Sequence, residues 1–155
     1  MRIYLSLLLF MIMGSIANAQ SLKIDNNQLV LPEPVTFKTG TSVLTDQGRK
    51  ALEMVKKYLQ EKTYISLLRI EGHVAGEADE QVLSEGRAMA VAKWLIGAGI
   101  DCKRLIIVGF GSTKPITEKG SENTRIVFAT AALRGHLIGG MPASGGGNVA
   151  IEACN

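Results

Sequence analysis

The chain has 155 residues, of which 46% are hydrophobic, 20% charged and 5% aromatic, and its formal net charge is +3. This length suits one domain with short additions. The composition excludes an intrinsically disordered chain, a collagen, a coiled coil and a multi-spanning membrane protein. The small charge gives no basis for nucleic-acid binding, because such proteins usually cluster Lys and Arg among aromatic residues.

Residues 1–19 have the layout of a secretory signal peptide. Arg2 supplies a positive charge, an apolar run extends from Ile3 to Met13, and Ala17-Asn18-Ala19 offers small residues at the positions that a signal peptidase reads. A membrane anchor is the alternative, but the run is short for the roughly 20 apolar residues that a spanning helix needs. We therefore expect an exported mature chain that begins at Gln20 and has no membrane span.

Export also decides how the two cysteines of the chain, Cys102 and Cys154, are interpreted. Disulfides form and persist in exported proteins, so we predict one intramolecular bridge between them. Two free thiols, or pairing between chains, are the alternatives. Two cysteines are too few for a zinc site unless His or carboxylate ligands join them.

The first half of the mature chain predicts one short strand and one helix. Residues 20–28 are interpreted as a lead-in to the domain. Val35-Thr36-Phe37 is predicted to be a strand, because the preceding prolines favour extended backbone. Thr45 is a suitable N-cap, and apolar residues at helical spacing predict an amphipathic helix over 45–62.

The second half predicts three strands and a second helix, after which the chain becomes rich in glycine. The strands are predicted at 65–70, 104–108 and 125–131, and the helix at 80–98, with Gly99 just past its end. The order β, α, β, α, β, β predicts a compact α/β fold with both helices on one face of a mixed sheet. Residues 133–155 are predicted to be a flexible tail.

The sequence contains no convincing catalytic motif. The segment from Gly109 to Lys114 looks like a phosphate loop, but it lacks the Gly before the Lys and is interpreted as a turn. Ser84 lacks the leading Gly of a nucleophile elbow. His73 with Glu71 and Glu77 could hold a metal ion, although a histidine at the end of a strand is more often a local hydrogen-bonding residue. We therefore expect no enzymatic activity and no cofactor.

Several short motifs occur in a characteristic order along residues 29–132. They are Ile70-Glu71-Gly72-His73, Leu83-Ser84-Glu85-Gly86-Arg87-Ala88, Gly109-Phe110-Gly111 and Asn123-Thr124-Arg125. Together they resemble the OmpA-like peptidoglycan-binding domain family, which includes the OmpA C-terminal domain, the Pal lipoprotein and the MotB periplasmic domain. The resemblance implies a two-layer α/β sandwich that binds the peptide stem of peptidoglycan, chiefly diaminopimelate, without catalysis.

The resemblance also implies a set of ligand-binding residues. The arginine of the family's Leu-Ser-x-x-Arg-Ala motif falls on Arg87, and its Asn-Arg-Arg-Val motif places Asn123 and Arg125 in the site. The histidine of its Gly-His-Thr-Asp motif falls on His73, and its loop after the first strand falls on Phe37-Lys38-Thr39-Gly40, which adds Thr39 and Gly40. Arginine suits a ligand carboxylate because its planar fork can bond both oxygens. The alternative for both arginines is a surface or structural ion pair.

The chain departs from the family pattern where the ligand amine would bind. The family's Thr-Asp falls on Val74-Ala75, so the expected carboxylate is missing, and the loop between His73 and Arg87 is shorter than usual. A shorter loop could bring another acid close to Arg87. The candidates are Glu77, Asp79 and Glu80, each of which could equally be a solvated loop charge.

Two functions are consistent with the resemblance. The first is a divergent family member in the periplasm, associated with the cell wall or outer membrane, whose partners are peptidoglycan and other envelope proteins. The second is a degenerate module that has lost ligand binding and acts as a protein-interaction component of an envelope complex.

Overall fold

The computed structural model describes residues 22–138 and 151–154. The predicted signal peptide therefore lies outside the described residues, as does most of the predicted tail. In chain order the elements are β1 (Lys23–Asp25), β2 (Gln28–Val30), α1 (Asp46–Glu61), β3 (Ile65–His73), α2 (Glu80–Gly97), β4 (Leu105–Gly109), β5 (Arg125–Leu133), β6 (His136–Leu137) and β7 (Ile151–Glu152).

Both predicted helices are confirmed, together with Thr45 as the cap of α1 and Gly99 as the residue just past the end of α2. The hydroxyl of Thr45 accepts a hydrogen bond from the amide of Gly48 at 3.0 Å, which caps the first turn of α1. At the carboxyl end of α2, Gly99 has a φ of +94°. Glycine adopts this conformation at little cost, and it ends the helix.

The strands form one mixed sheet with the order β1-β2-β5-β3-β4-β7, and β6 pairs with β5. β3 and β4 are parallel and are joined through α2, whereas the other described pairs are antiparallel. This arrangement confirms the predicted fold class. It also brings the carboxyl end of β3 beside the first residue of β5, since His73 pairs with Arg125.

The main core lies between the helices and one face of the sheet, as predicted. Apolar side chains of α1 and α2 pack there against residues of the three central strands, including Ile70, Ile107 and Phe128. The approach of α2 to β3 requires Gly72, because a Cβ at this position would overlap the backbone carbonyl of Ser84. This close contact positions the start of α2 against the end of β3.

The predicted lead-in over 20–28 contains strand structure that the sequence analysis missed. β1 and β2 form a hairpin whose two turn residues, Asn26 and Asn27, both have positive φ, at 46° and 62°. Asn at both positions is a recognised signal for the tight turn that suits a two-residue hairpin. β2 then pairs with β5 and extends the sheet.

The prediction of a strand at Val35-Thr36-Phe37 is wrong. Phe37 forms only an isolated bridge with Leu44, and Pro34 lacks the amide that a ladder would use. The segment is instead irregular, and it contributes Val35 to the core.

The described parts of the predicted tail are attached to the sheet. β6 pairs with β5, and β7 pairs with the edge of β4. A disulfide joins Cys102 and Cys154, which confirms the predicted intramolecular bridge. The bridge follows β7 directly and therefore secures the end of the chain to the β4 edge.

Candidate functional site

A pocket of about 310 Å³ opens at the carboxyl end of β3. One wall is apolar and comes from the segment before α1, whereas the remainder is polar and charged. Its lining consists of Pro34, Val35, Thr36, Phe37, Thr39, His73, Glu77, Arg87, Thr124 and Arg125. The fold thus brings together four segments of the chain that are distant in sequence.

Arg87, on α2, is 5% exposed and makes contacts on two edges of its guanidinium group. Its Nη1 and Nη2 donate to the two carboxylate oxygens of Glu77, at 2.8 Å and 3.2 Å. Its Nε donates to the backbone carbonyl of Thr41 at 3.0 Å. The aromatic ring of Phe37 lies 5.3 Å from the guanidinium carbon. Glu77 is therefore the acid that the shortened loop brings to Arg87.

Glu77 is itself well bonded. In addition to the two contacts from Arg87, its Oε2 accepts a hydrogen bond from the amide of Gly40 at 3.1 Å. Its side chain is 23% exposed, compared with 6% for Arg87. The carboxylate thus lies at the mouth of the pocket, with its charge compensated by the protein.

Arg125 is the second cation of the pocket and is bonded differently. Its guanidinium donates to two backbone carbonyls, those of Asn123 at 3.4 Å and Lys114 at 3.2 Å. Burial lowers the pKa of Arg125 and the charge of Glu71 raises it, with a net shift to below the usual value. No ion pair joins Arg125 to a carboxylate in the described part of the chain.

Thr124 stands where the family has an arginine and holds the loop that carries Glu77. Its hydroxyl accepts a hydrogen bond from the amide of Ala75 at 3.1 Å and donates one to the carbonyl of Ala75 at 3.2 Å. Ala75 occupies the position of the missing family Asp. Thr124 was not predicted as a site residue, and only its place in the Asn123-Thr124-Arg125 motif could have pointed to it.

His73 belongs to a buried set of polar side chains on the face of the sheet opposite the helices. Its Nε2 lies 3.3 Å from Oε2 of Glu71, whose Oε1 accepts a 2.6 Å hydrogen bond from Nε of Arg69. The ring stacks on Phe110 with the centroids 5.2 Å apart. Its Nδ1 is buried without a hydrogen-bond partner among residues 22–138 and 151–154.

The pKa of Glu71 predicts a specific acid sensitivity. Burial raises this pKa, but the hydrogen bond to His73 and the charge of Arg69 outweigh burial and hold it below its ordinary value of 4.5. Glu71 therefore stabilises the fold above about pH 4.5, and this contribution is lost as the pH falls through the lowered pKa.

We expect Glu71→Gln to be less stable than wild type at pH 7 and to lose less stability on acidification. Urea unfolding at several pH values measures this, and equal pH slopes for the two proteins would contradict it.

The structure brings together most of the residues that the sequence analysis assigned to the site. His73, Arg87, Arg125, Thr39 and Glu77 line the pocket, and the amide of Gly40 contacts Glu77.

Three assigned residues, Gly40, Asn123 and Glu80, do not themselves line this pocket. Asn123 is buried, and its side-chain amide bonds to the backbone of Ile116 and Thr117, so it shapes the loop before β5. Glu80 accepts hydrogen bonds from the Ser112 hydroxyl and, at 2.6 Å, from the Gly76 amide. These bonds hold the pKa of Glu80 below its ordinary value, and Glu80 therefore braces the loop that carries Glu77.

Two further features bear on the interpretation of the site. Within the described ranges, no group of three or more His, Cys, Asp and Glu side chains is arranged to hold a metal ion. In the same ranges, none of the helices combines the length and the apolar character that crossing a membrane requires.

Comparison of the sequence with known families and proteins gives consistent matches. The model of the OmpA family matches residues 36–127, which is more than half of the chain. The chain is 32% identical over 112 residues to the probable lipoprotein YiaD of Escherichia coli, covering 68% of this chain and 51% of that protein. It is 26% identical over 122 residues to outer membrane protein A of Citrobacter freundii, covering 76% and 50%. The chain thus spans about half the length of these curated relatives.

Solved structures with the same fold agree with these matches. The OmpA-like domain of FopA1 from Francisella tularensis aligns with a TM-score of 0.57 at 24% identity, covering 72% of this chain and 79% of that domain. The periplasmic domain of Helicobacter pylori MotB aligns with a TM-score of 0.58 at 22% identity, covering 72% and 88%. Since the family model matches more than half of the chain, from before α1 into β5, this chain belongs to the OmpA family.

Proposed function

We propose that this chain is a non-catalytic protein of the cell envelope that binds the peptide stem of peptidoglycan, of the diaminopimelate type. The observation that carries the proposal is the pocket itself, in which two guanidinium groups, one carboxylate and an apolar wall converge. Stem peptides present carboxylates that an arginine of the pocket can bind, and their methylene groups suit an apolar wall such as that of Pro34, Val35 and Phe37.

A periplasmic location is part of this proposal. It is supported by the predicted signal peptide, by similarity to an outer membrane protein and by structural similarity to a periplasmic domain. The disulfide is consistent with it, because disulfides persist in oxidising compartments.

A degenerate module that acts only through protein contacts is the second candidate, and one observation favours it. Glu77 already bonds both terminal nitrogens of Arg87, so the family's ligand cation is neutralised from within. Under this alternative the pocket is a structural remnant, and the partner would be another protein of the envelope.

The test is co-sedimentation of the purified protein with sacculi that contain diaminopimelate, for wild type and for Arg87→Ala. The substitution removes one cation of the pocket and releases the negative charge of Glu77. Since Arg87 forms part of the pocket wall and the released carboxylate of Glu77 would repel a ligand carboxylate in the same pocket, we expect sacculus binding to weaken about tenfold or more. Arg134→Ala is the matched control, because Arg134 is exposed and lies outside the pocket.

Circular dichroism of each variant checks that the fold is retained. Binding of Arg87→Ala equal to that of wild type would remove Arg87 from the site. If wild-type protein does not sediment with sacculi, stem binding is wrong and the interaction module is the better explanation.

A further inference from the structure

The hydrogen bonds of Arg87 leave it poorly suited to hold a ligand carboxylate. A guanidinium group has five N–H donors, and it grips a carboxylate best through two parallel hydrogen bonds. Glu77 occupies the pair formed by Nη1 and Nη2. Nε donates to the carbonyl of Thr41. Nε and Nη2 are therefore not available together for a second pair of parallel hydrogen bonds to a carboxylate. A ligand carboxylate would therefore find only single donors on Arg87.

Glu77 is equally poorly suited to receive a ligand ammonium. Its two oxygens already accept three hydrogen bonds, two from Arg87 and one from the Gly40 amide. The positive charge of Arg87 also cancels its negative charge at contact distance. Ala75, where the family has its Asp, offers no side-chain acceptor. Of the residues that line the pocket, Glu77 is the single acid, so a ligand ammonium has no uncompensated partner there.

Arg125 is in the opposite situation. It lines the same pocket, and its bonds at 3.2 Å and 3.4 Å go to neutral backbone carbonyls. The nearby Glu71 is committed to Arg69 and His73. Among the charged residues that line the pocket, Arg125 is therefore the one that contacts no carboxylate of the described residues.

From this distribution we propose that Arg125 anchors a ligand carboxylate, and that the pocket recognises this carboxylate without requiring a neighbouring ammonium. The inference deepens the proposed function, since it names the group of the stem peptide that supplies the affinity. It also gives the Glu77–Arg87 pair a definite role, which is to build the wall of the pocket rather than to bind the two ends of a zwitterion.

Three small molecules separate the two charges of the ligand, and each can be titrated into the purified full chain by calorimetry or NMR. Diaminopimelate carries carboxylates and ammonium groups, pimelate has the same carbon chain without the ammonium groups, and cadaverine is a diamine without carboxylates. We expect pimelate to bind at least as tightly as diaminopimelate and cadaverine not to bind. Arg125→Gln should weaken pimelate binding about tenfold or more, while Arg134→Gln, an exposed arginine, should leave it unchanged.

The inference is overturned if diaminopimelate binds about tenfold more tightly than pimelate, if Arg125→Gln binds pimelate normally, or if none of the three ligands binds. Arg125→Lys provides a second check, because it keeps the charge but loses the planar fork and should fall between wild type and Arg125→Gln. Sedimentation of the wild-type protein with sacculi is measured separately. Its failure would count against stem binding, whereas the titrations decide whether Arg125 anchors a carboxylate.

Discussion

Replacement of Cys102 and Cys154 by serine is expected to lower the free energy of unfolding by about 4 kcal/mol. The bridge spans a sequence separation of 52 residues, so it removes a large amount of conformational entropy from the unfolded chain. It also keeps β7 on the edge of β4, where it pairs with Ile106 and Ile107. Urea unfolding of the oxidised wild type and the double variant, followed by circular dichroism, measures the difference.

Each single substitution is the control, because Cys102→Ser or Cys154→Ser alone already removes the bridge and should match the double variant. Adding a reductant to the wild type should produce the same loss. A difference between oxidised wild type and the double variant of less than about 1 kcal/mol would mean that the loop-closure estimate does not apply to this bridge.

Replacement of Ala75 by Asp is expected to give the pocket a selectivity for ammonium that it lacks. Ala75 stands at the position of the family Asp and contacts the pocket-lining Thr124 through its backbone amide and carbonyl. Those bonds do not use its side chain, so the loop can keep its conformation when the side chain changes. A new carboxylate would supply the missing partner for the ligand amine. At about 1.5–3 kcal/mol for a charge-assisted hydrogen bond, diaminopimelate should bind roughly ten- to a hundredfold more tightly.

Calorimetric titration of diaminopimelate and pimelate into wild type and Ala75→Asp tests this expectation. Pimelate binding should weaken, because the new negative charge repels a dicarboxylate. Ala75→Asn is the matched control, since it has the same size without the charge and should leave the affinity for diaminopimelate close to that of wild type. If Ala75→Asp binds diaminopimelate no better than Ala75→Asn, then either another acid already serves the amine or this pocket is not the ligand site.

Much of the fold could be predicted from the sequence because its signals are local. Apolar residues at helical spacing and the cap at Thr45 located α1, and Gly99 marked the end of α2. One strand prediction was wrong and the strands β1 and β2 were not predicted, because a strand depends on pairing with a partner strand. β1 and β2 are three residues each, too short to show a pattern, and the segment at Val35-Thr36-Phe37 has apolar character but no partner strand for a ladder.

For the site, the sequence by itself determined which residue types were present and in what order, and this was enough to identify the motifs that place His73, Arg87 and Arg125 near one another. Only the tertiary structure decided how their charges are used. Arg87 bonds the Thr41 carbonyl from 46 residues away. Glu77, rather than Asp79 or Glu80, pairs with Arg87, in a loop that Thr124 holds through Ala75. Ion pairs depend on distances of a few ångströms between segments remote in sequence, and no local pattern encodes them.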